Sequence, residues 1–139
     1  MHHNMNNAGN RRLLAIMFVD VVGFTKMTAM DESFALSILE SSLASIKTKV
    51  EDYRGHWLKQ VGDGALISFG SVYDAVLCAG NIQQEFSTNE QISFRIGIHI
   101  GDVISEKSDI LGDGVNVASR LQAEAPENGI CISDAVYDA

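Results

Sequence analysis

Two acidic residues are placed where they could do metal chemistry. Asp20 ends the apolar run "LLAIMFVD", and Asp63 sits between two glycines in "KQVGDGALISF". Carboxylates that converge at strand ends repel each other unless a cation joins them. Ligands made of oxygen alone suit magnesium or manganese, whose shells are usually completed by substrate phosphates. Spacing alone leaves a plainer role open for each, Asp63 as a turn acid and Asp20 as a strand-end acid.

Other residues could handle an anion or a base. In "VVGFT", Gly23 lets successive backbone N–H groups face a phosphate, and Thr25 adds a hydroxyl after Phe24. Lys59 shares a strand face with Trp57 and Val61 by period-two alternation, either exposed at an edge or aimed at a ligand. Asp109, Asn116 and Arg120 fall close together in "SDILGDGVNVASRL". Asn116 and Arg120 are one helical turn apart and could hold a ribose and a phosphate, unless Arg120 only pairs with Glu124. His99, inside the apolar "IGIHIG", reads as a structural histidine. No serine or cysteine has a histidine partner that would suggest a hydrolase triad.

Several elements must position these side chains. The run to Asp20 reads as a buried central strand, left through Gly23. Asp31 can cap a helix whose apolar face is Leu39, Leu43, Ile46, Val50 and Tyr53, ended by Arg54-Gly55. "HWLKQV" and "ALISF" flank Gly62-Asp63-Gly64 as a hairpin. Ser71 and Asp74 begin a second helix, with Val72, Ala75, Val76, Ala79, Ile82 and Phe86 facing inward. "ISFRIGIHIGDVI" is a long strand and "GVNVASRLQAEA" a third helix, bracketed at its start by Gly112 and Gly114. "GICIS" is a further strand, and "DAVYDA" begins another helix. The expected class is α+β, a ferredoxin-like βαββαβ core with additional C-terminal α/β elements. Helices on one side would leave the other sheet face open for a partner or ligand.

Bulk composition bounds the function. A chain of 139 residues that is 46% hydrophobic, with one proline, is expected to be one compact domain over 11–139. Residues 1–10 are polar and read as a disordered lead-in. The net charge of −8 advertises no nucleic acid and no anionic membrane. No apolar run is long enough to span a membrane, so a cytoplasmic location is the default. Cys78 and Cys131 have no metal-ligand spacing and read as buried free thiols.

Taken together, "FVDVVGFT", "KQVGDGALISF", "FRIGIHIGDVI" and "DILGDGVNVASRL" resemble the class III nucleotide cyclases, the catalytic domains of adenylyl and guanylyl cyclases. The resemblance covers the chain from about Arg11 onward. It implies that Asp20, Asp63 and the Val21 carbonyl hold two Mg2+ or Mn2+ ions, and that Gly23, Phe24 and Thr25 contact substrate. Lys59 and Asp109 match the pair that reads adenine, where guanylyl cyclases carry glutamate and typically cysteine. Asn116 matches the asparagine that orients the ribose, and Arg120 the arginine that stabilises charge on the reacting phosphate. The implied activity is adenylate cyclase, ATP to 3′,5′-cyclic AMP and pyrophosphate, in a homodimer with shared sites. A cyclase-like domain that binds nucleotide or dimerises without turnover is the alternative. Domains of the family usually continue for some tens of residues beyond "CISDAVYDA", so the chain reads as C-terminally truncated relative to them.

Overall fold

The computed structural model describes residues 11–24, 30–107 and 109–139, without the side chain of Phe24. Two expectations lie outside the described residues, the lead-in over 1–10 and Thr25. In chain order the elements are β1 (Arg11–Phe24), α1 (Glu32–Asp52), β2 (His56–Val61), β3 (Gly64–Phe69), α2 (Val72–Phe86), β4 (Ile92–Glu106), β5 (Asp109–Leu111), α3 (Asp113–Glu124), β6 (Ile130–Ile132) and α4 (Asp134–Tyr137). The sheet runs β2-β3-β1-β4-β5, with β6 parallel to β4. The first four of these strands have the ferredoxin-like order, so the expected α+β class holds.

Local chemistry accounts for the helix starts. Asp31 Oδ1 accepts from Phe34 N at 3.1 Å, and Ser71 Oγ accepts from Asp74 N at 3.3 Å. Each satisfies one of the orphan N–H groups of a first turn. The main core lies between the sheet and α1 with α2. It gathers Met17, Val19, Ile67, Phe69, Phe94, Ile96 and Ile98 under Leu43, Ile46, Val50, Ala79 and Ile82. On α2 the buried stripe includes Cys78, whereas Val76 is 37% exposed, one position off the expected face. Both thiols are free, with Cys78 buried and Cys131 only half-buried.

The opposite face is not left bare, contrary to the expectation of helices on one side. Leu14, Ile16, Leu66, Val103, Ile110 and Ala118 form a second cluster there, joined by Phe18, Leu58 and Val115. It is closed by α3 and by β5, a three-residue strand too short to show an alternating pattern in the sequence. The approach of α3 depends on Gly97. A side chain there would overlap the backbone N of Gln122 and come within 2.6 Å of Ala118 O.

Two irregularities re-aim strands. The first strand does not end at Asp20: it pairs on to Phe24 opposite Ile92, with a register shift between Val21 and Gly23. In β2 the register shifts between Trp57 and Lys59. Trp57 stands opposite Ile67 and packs on the main core, while Lys59 stands opposite Leu66 on the second face. Period-two alternation had put Trp57 and Lys59 on one face. One extra residue, Leu58, reverses that parity. Among the described residues no helix is long and apolar enough to cross a membrane.

Candidate active site

The second face carries the polar groups, in two sets. The first is built where β2, β5 and α3 meet. Lys59 Nζ donates to Asp109 Oδ2 at 2.9 Å, and Asp109 Oδ1 accepts from Ile110 N at 2.8 Å. The hydrogen bond from Lys59 holds the Asp109 carboxyl below its ordinary range. The two residues line a cavity of about 360 Å³ with Asn116, floored by Phe18, Leu66, Ile110 and Val115. Its volume lies at the small end of ligand sites. Arg120, one turn beyond Asn116 on α3, is exposed. It forms no ion pair with Glu124 or any other carboxylate among the described residues.

The second set lies at the C-terminal part of β1 and the β2–β3 turn. That turn is the two-residue loop Gly62-Asp63, since Val61 pairs with Gly64. Gly62 has φ of 57° and Asp63 is not among the positive-φ residues, the pattern of a II′ hairpin turn. Gly64, the first residue of β3, is pressed against β1. A Cβ there would overlap the Val19 carbonyl oxygen and come within 2.9 Å of Asp20 Cα. This contact brings the Asp63 turn to Asp20. Burial pushes the Asp20 carboxyl above its ordinary range, and the Asp63 carboxylate pushes it the same way; the Val21 N–H and Arg95 act against the rise.

Whether these residues suit a divalent ion can be judged from the donors. Among the described residues no three His, Cys, Asp or Glu side chains gather in one place. The protein offers two carboxylates, and the charge of Asp63 already acts against that of Asp20, so a cation between them would relieve the repulsion. A hard ion that keeps water and phosphate oxygens in its shell fits so sparse a set. The strand bulge after Val21 disturbs the ladder, the setting in which a strand carbonyl becomes available as a further ligand. Gly23, at the same register shift, is exposed.

One residue was missed in the sequence. Arg95 on β4 stands directly opposite Asp20 in the ladder. Its Nε is buried and has no partner among the described residues. The signal in the sequence is a lone guanidinium inside the apolar "ISFRIGIHIG". His99 itself is satisfied: its Nδ1 is 2.8 Å from Ser133 Oγ. Asp20 and Asp63 are not among the residues that line the cavity of Lys59, Asp109 and Asn116.

Residues 7–139 match the family described as "Adenylate and Guanylate cyclase catalytic domain". "Putative adenylate cyclase 3" of Rhizobium meliloti is 36% identical over 136 residues, covering 92% of this chain and 23% of that protein. "Guanylate cyclase 32E" of Drosophila melanogaster is 25% identical, covering 89% of this chain and 13% of that protein. The chain thus spans less than a quarter of the length of either. Among solved structures, the "Adenylate/Guanylate Cyclase/Hydrolase" from Silicibacter pomeroyi superposes with a TM-score of 0.83 at 37% identity, covering 92% of this chain and 79% of that one. The chain belongs to the family of adenylate and guanylate cyclase catalytic domains.

Proposed function

We propose that this domain is an adenylate cyclase, converting ATP to 3′,5′-cyclic AMP and pyrophosphate as a homodimer. The observation that carries the adenylyl reading is the Lys59–Asp109 pair, 2.9 Å apart beside Asn116 in one apolar-floored cavity. A lysine can donate only, and a carboxylate can accept only. Adenine offers an acceptor at ring N1 and a donor at its exocyclic amine. Guanine reverses both, so this pair favours adenine.

The residues divide the work. Lys59 and Asp109 would exchange their mutual contact for the base, a cheap exchange because both side chains are substantially exposed. Asn116 orients the ribose, and Arg120 stabilises the charge that builds on the reacting phosphate. Asp20 and Asp63, with the Val21 carbonyl, would hold two Mg2+ or Mn2+ ions, and the family resemblance implies that Gly23, Phe24 and Thr25 would contact the substrate. When bound, the ions lower the pKa of the ribose 3′ hydroxyl and neutralise phosphate charge. Arg95, opposite Asp20, is placed to take a phosphate oxygen. The 3′ oxygen bonds to the α-phosphorus as the bond to the β-phosphate breaks, and pyrophosphate leaves. That neither Asp20 nor Asp63 lines the cavity of Lys59, Asp109 and Asn116 supports a site built from Asp20 and Asp63 of one subunit and Lys59, Asp109, Asn116 and Arg120 of the other. A two-fold dimer then has two such sites.

The test is a cyclic nucleotide assay with ATP and Mn2+ across a range of protein concentration, with GTP in a parallel arm and Asp63→Ala as control. Cyclic AMP from ATP, lost in Asp63→Ala while the fold persists, is expected. Nucleotide binding without any cyclic product would overturn the enzyme reading in favour of an inactive cyclase-like domain.

A further inference from the structure

The second face holds another cavity, of about 430 Å³, on the far side of Ile110 from Lys59 and Asp109. Its lining includes Arg12, Arg54, His56 and Lys107 around an apolar floor of Leu14 and Leu58. Ser68 and Ser105 add hydroxyls, and Trp57 forms part of the wall. Arg12 and Asp20 are eight residues apart on one extended strand, which separates this cavity from the carboxylate pair by roughly 26 Å.

Two features point to a binding site, the unpaired cations and the apolar floor. The cavity collects three of the ten lysines and arginines of a chain whose net charge is −8. None of the three has a carboxylate partner among the described residues, where the ion pairs are Lys49–Glu85 and Lys59–Asp109. Two of them, Arg54 just past the end of α1 and Lys107 in the turn between β4 and β5, have φ of 63° and 48°. Left-handed backbone costs a non-glycine residue energy and is easily relieved by glycine or asparagine. Cations gathered around one cavity without carboxylate partners point to an anion. The apolar floor points to a ligand with more than a bare ion.

We propose that this cavity binds a small phosphomonoester, its phosphate held by Arg12, Arg54 and Lys107 and its apolar or ring-bearing body lying on Leu58 beside Trp57. Trp57 is the chain's one tryptophan and reports directly on occupancy. The experiment titrates the chain with phenyl phosphate in EDTA, so that no metal-dependent nucleotide site contributes, following Trp57 fluorescence and heat. A saturable signal with Kd between roughly 10 μM and 1 mM is expected, weakening as salt screens the exposed cations. The double variant Arg54→Asn with Lys107→Asn should weaken binding at least tenfold with its thermal midpoint unchanged or raised, because asparagine accepts the left-handed backbone. Asp63→Ala should bind as the parent does. No saturation by 10 mM, binding untouched in the double variant, or equal binding of phenol would each overturn the proposal.

Discussion

Lys59 and Asp109 are ion-paired at 2.9 Å although β2 and β5 stand at opposite ends of the strand order. The contact exists because β5 folds across the second face, where Ile110 packs with Leu14 and Leu66. Its value to stability is small: the side chains are 49% and 36% exposed, and such pairs contribute about 0–1 kcal/mol. Removing both partners by Lys59→Ala with Asp109→Ala should therefore move the denaturant midpoint little. The kcat/KM for ATP should fall by roughly a hundredfold or more, since a base edge that loses its partners is strongly rejected. Lys59→Glu with Asp109→Cys should raise the GTP-to-ATP ratio of kcat/KM. An unchanged ratio would show that the pair does not read the base.

Much of this site was legible in the sequence, and the reasons for the exceptions are local. Asp31 and Ser71 cap where their side-chain chemistry requires, and Gly62-Asp63 turns the hairpin as its glycine allows. The partnership of Asp63 with Asp20 followed from topology once the first strand and the hairpin were taken as neighbours. The face of Lys59 was not legible, because one inserted residue in β2 reverses parity and leaves no mark in composition. Nor was β5, whose three residues are held by tertiary packing of Ile110 and not by propensity. Arg95 was hidden for another reason: a cation in a buried strand declares its role only when the residue across the ladder is known to be Asp20.

Gly64 should tolerate no side chain. A methyl group there meets the Val19 carbonyl oxygen and the Asp20 Cα, backbone atoms that cannot rotate away. Gly64→Ala should lower the unfolding free energy by about 1–3 kcal/mol, as for overpacking in a core, read from denaturant titration. It should also displace the Asp63 turn from Asp20, so metal-dependent activity should fall even at temperatures where the variant is folded. Gly70 is the control, because a Cβ there meets nothing within 4 Å. Equal behaviour of Gly64→Ala and Gly70→Ala would contradict the close approach of the turn to β1.

His99 should make stability depend on pH. Burial lowers its pKa below the ordinary 6.5, against an opposing influence from Asp113. The unfolded imidazole takes up its proton near 6.5, while the folded one does so only at lower pH. Its neutral form therefore contributes full stability above 6.5, and this contribution is lost as pH falls from 6.5 through the folded value. Denaturant midpoints measured from pH 8 to pH 5 should decline more steeply for the parent than for His99→Gln. Because the comparison is of slopes, a constant cost of losing the Ser133 contact does not affect it. Parallel slopes would show that His99 is not the group responsible.

Sharing of sites between subunits makes the sharpest prediction. Asp20 lies beside the β2–β3 turn, and Arg120 is exposed on α3 with no carboxylate partner among the described residues. If each site takes Asp20 from one chain and Arg120 from the other, Asp20→Ala and Arg120→Ala homodimers are each defective at both sites. A heterodimer of the two is different. One of its sites combines both lesions, and the other combines the intact Arg120 of the first chain with the intact Asp20 of the second. Mixing the two inactive proteins at equal concentration gives half heterodimers if exchange is random, each with one working site of two. Activity should thus recover to about a quarter of the parent's per chain, by the two-fold symmetry of the assembly. Recovery should grow with total protein concentration as dimers form. If mixing restores nothing while the mixed species is shown to assemble, each chain carries its own complete site and the shared arrangement is wrong.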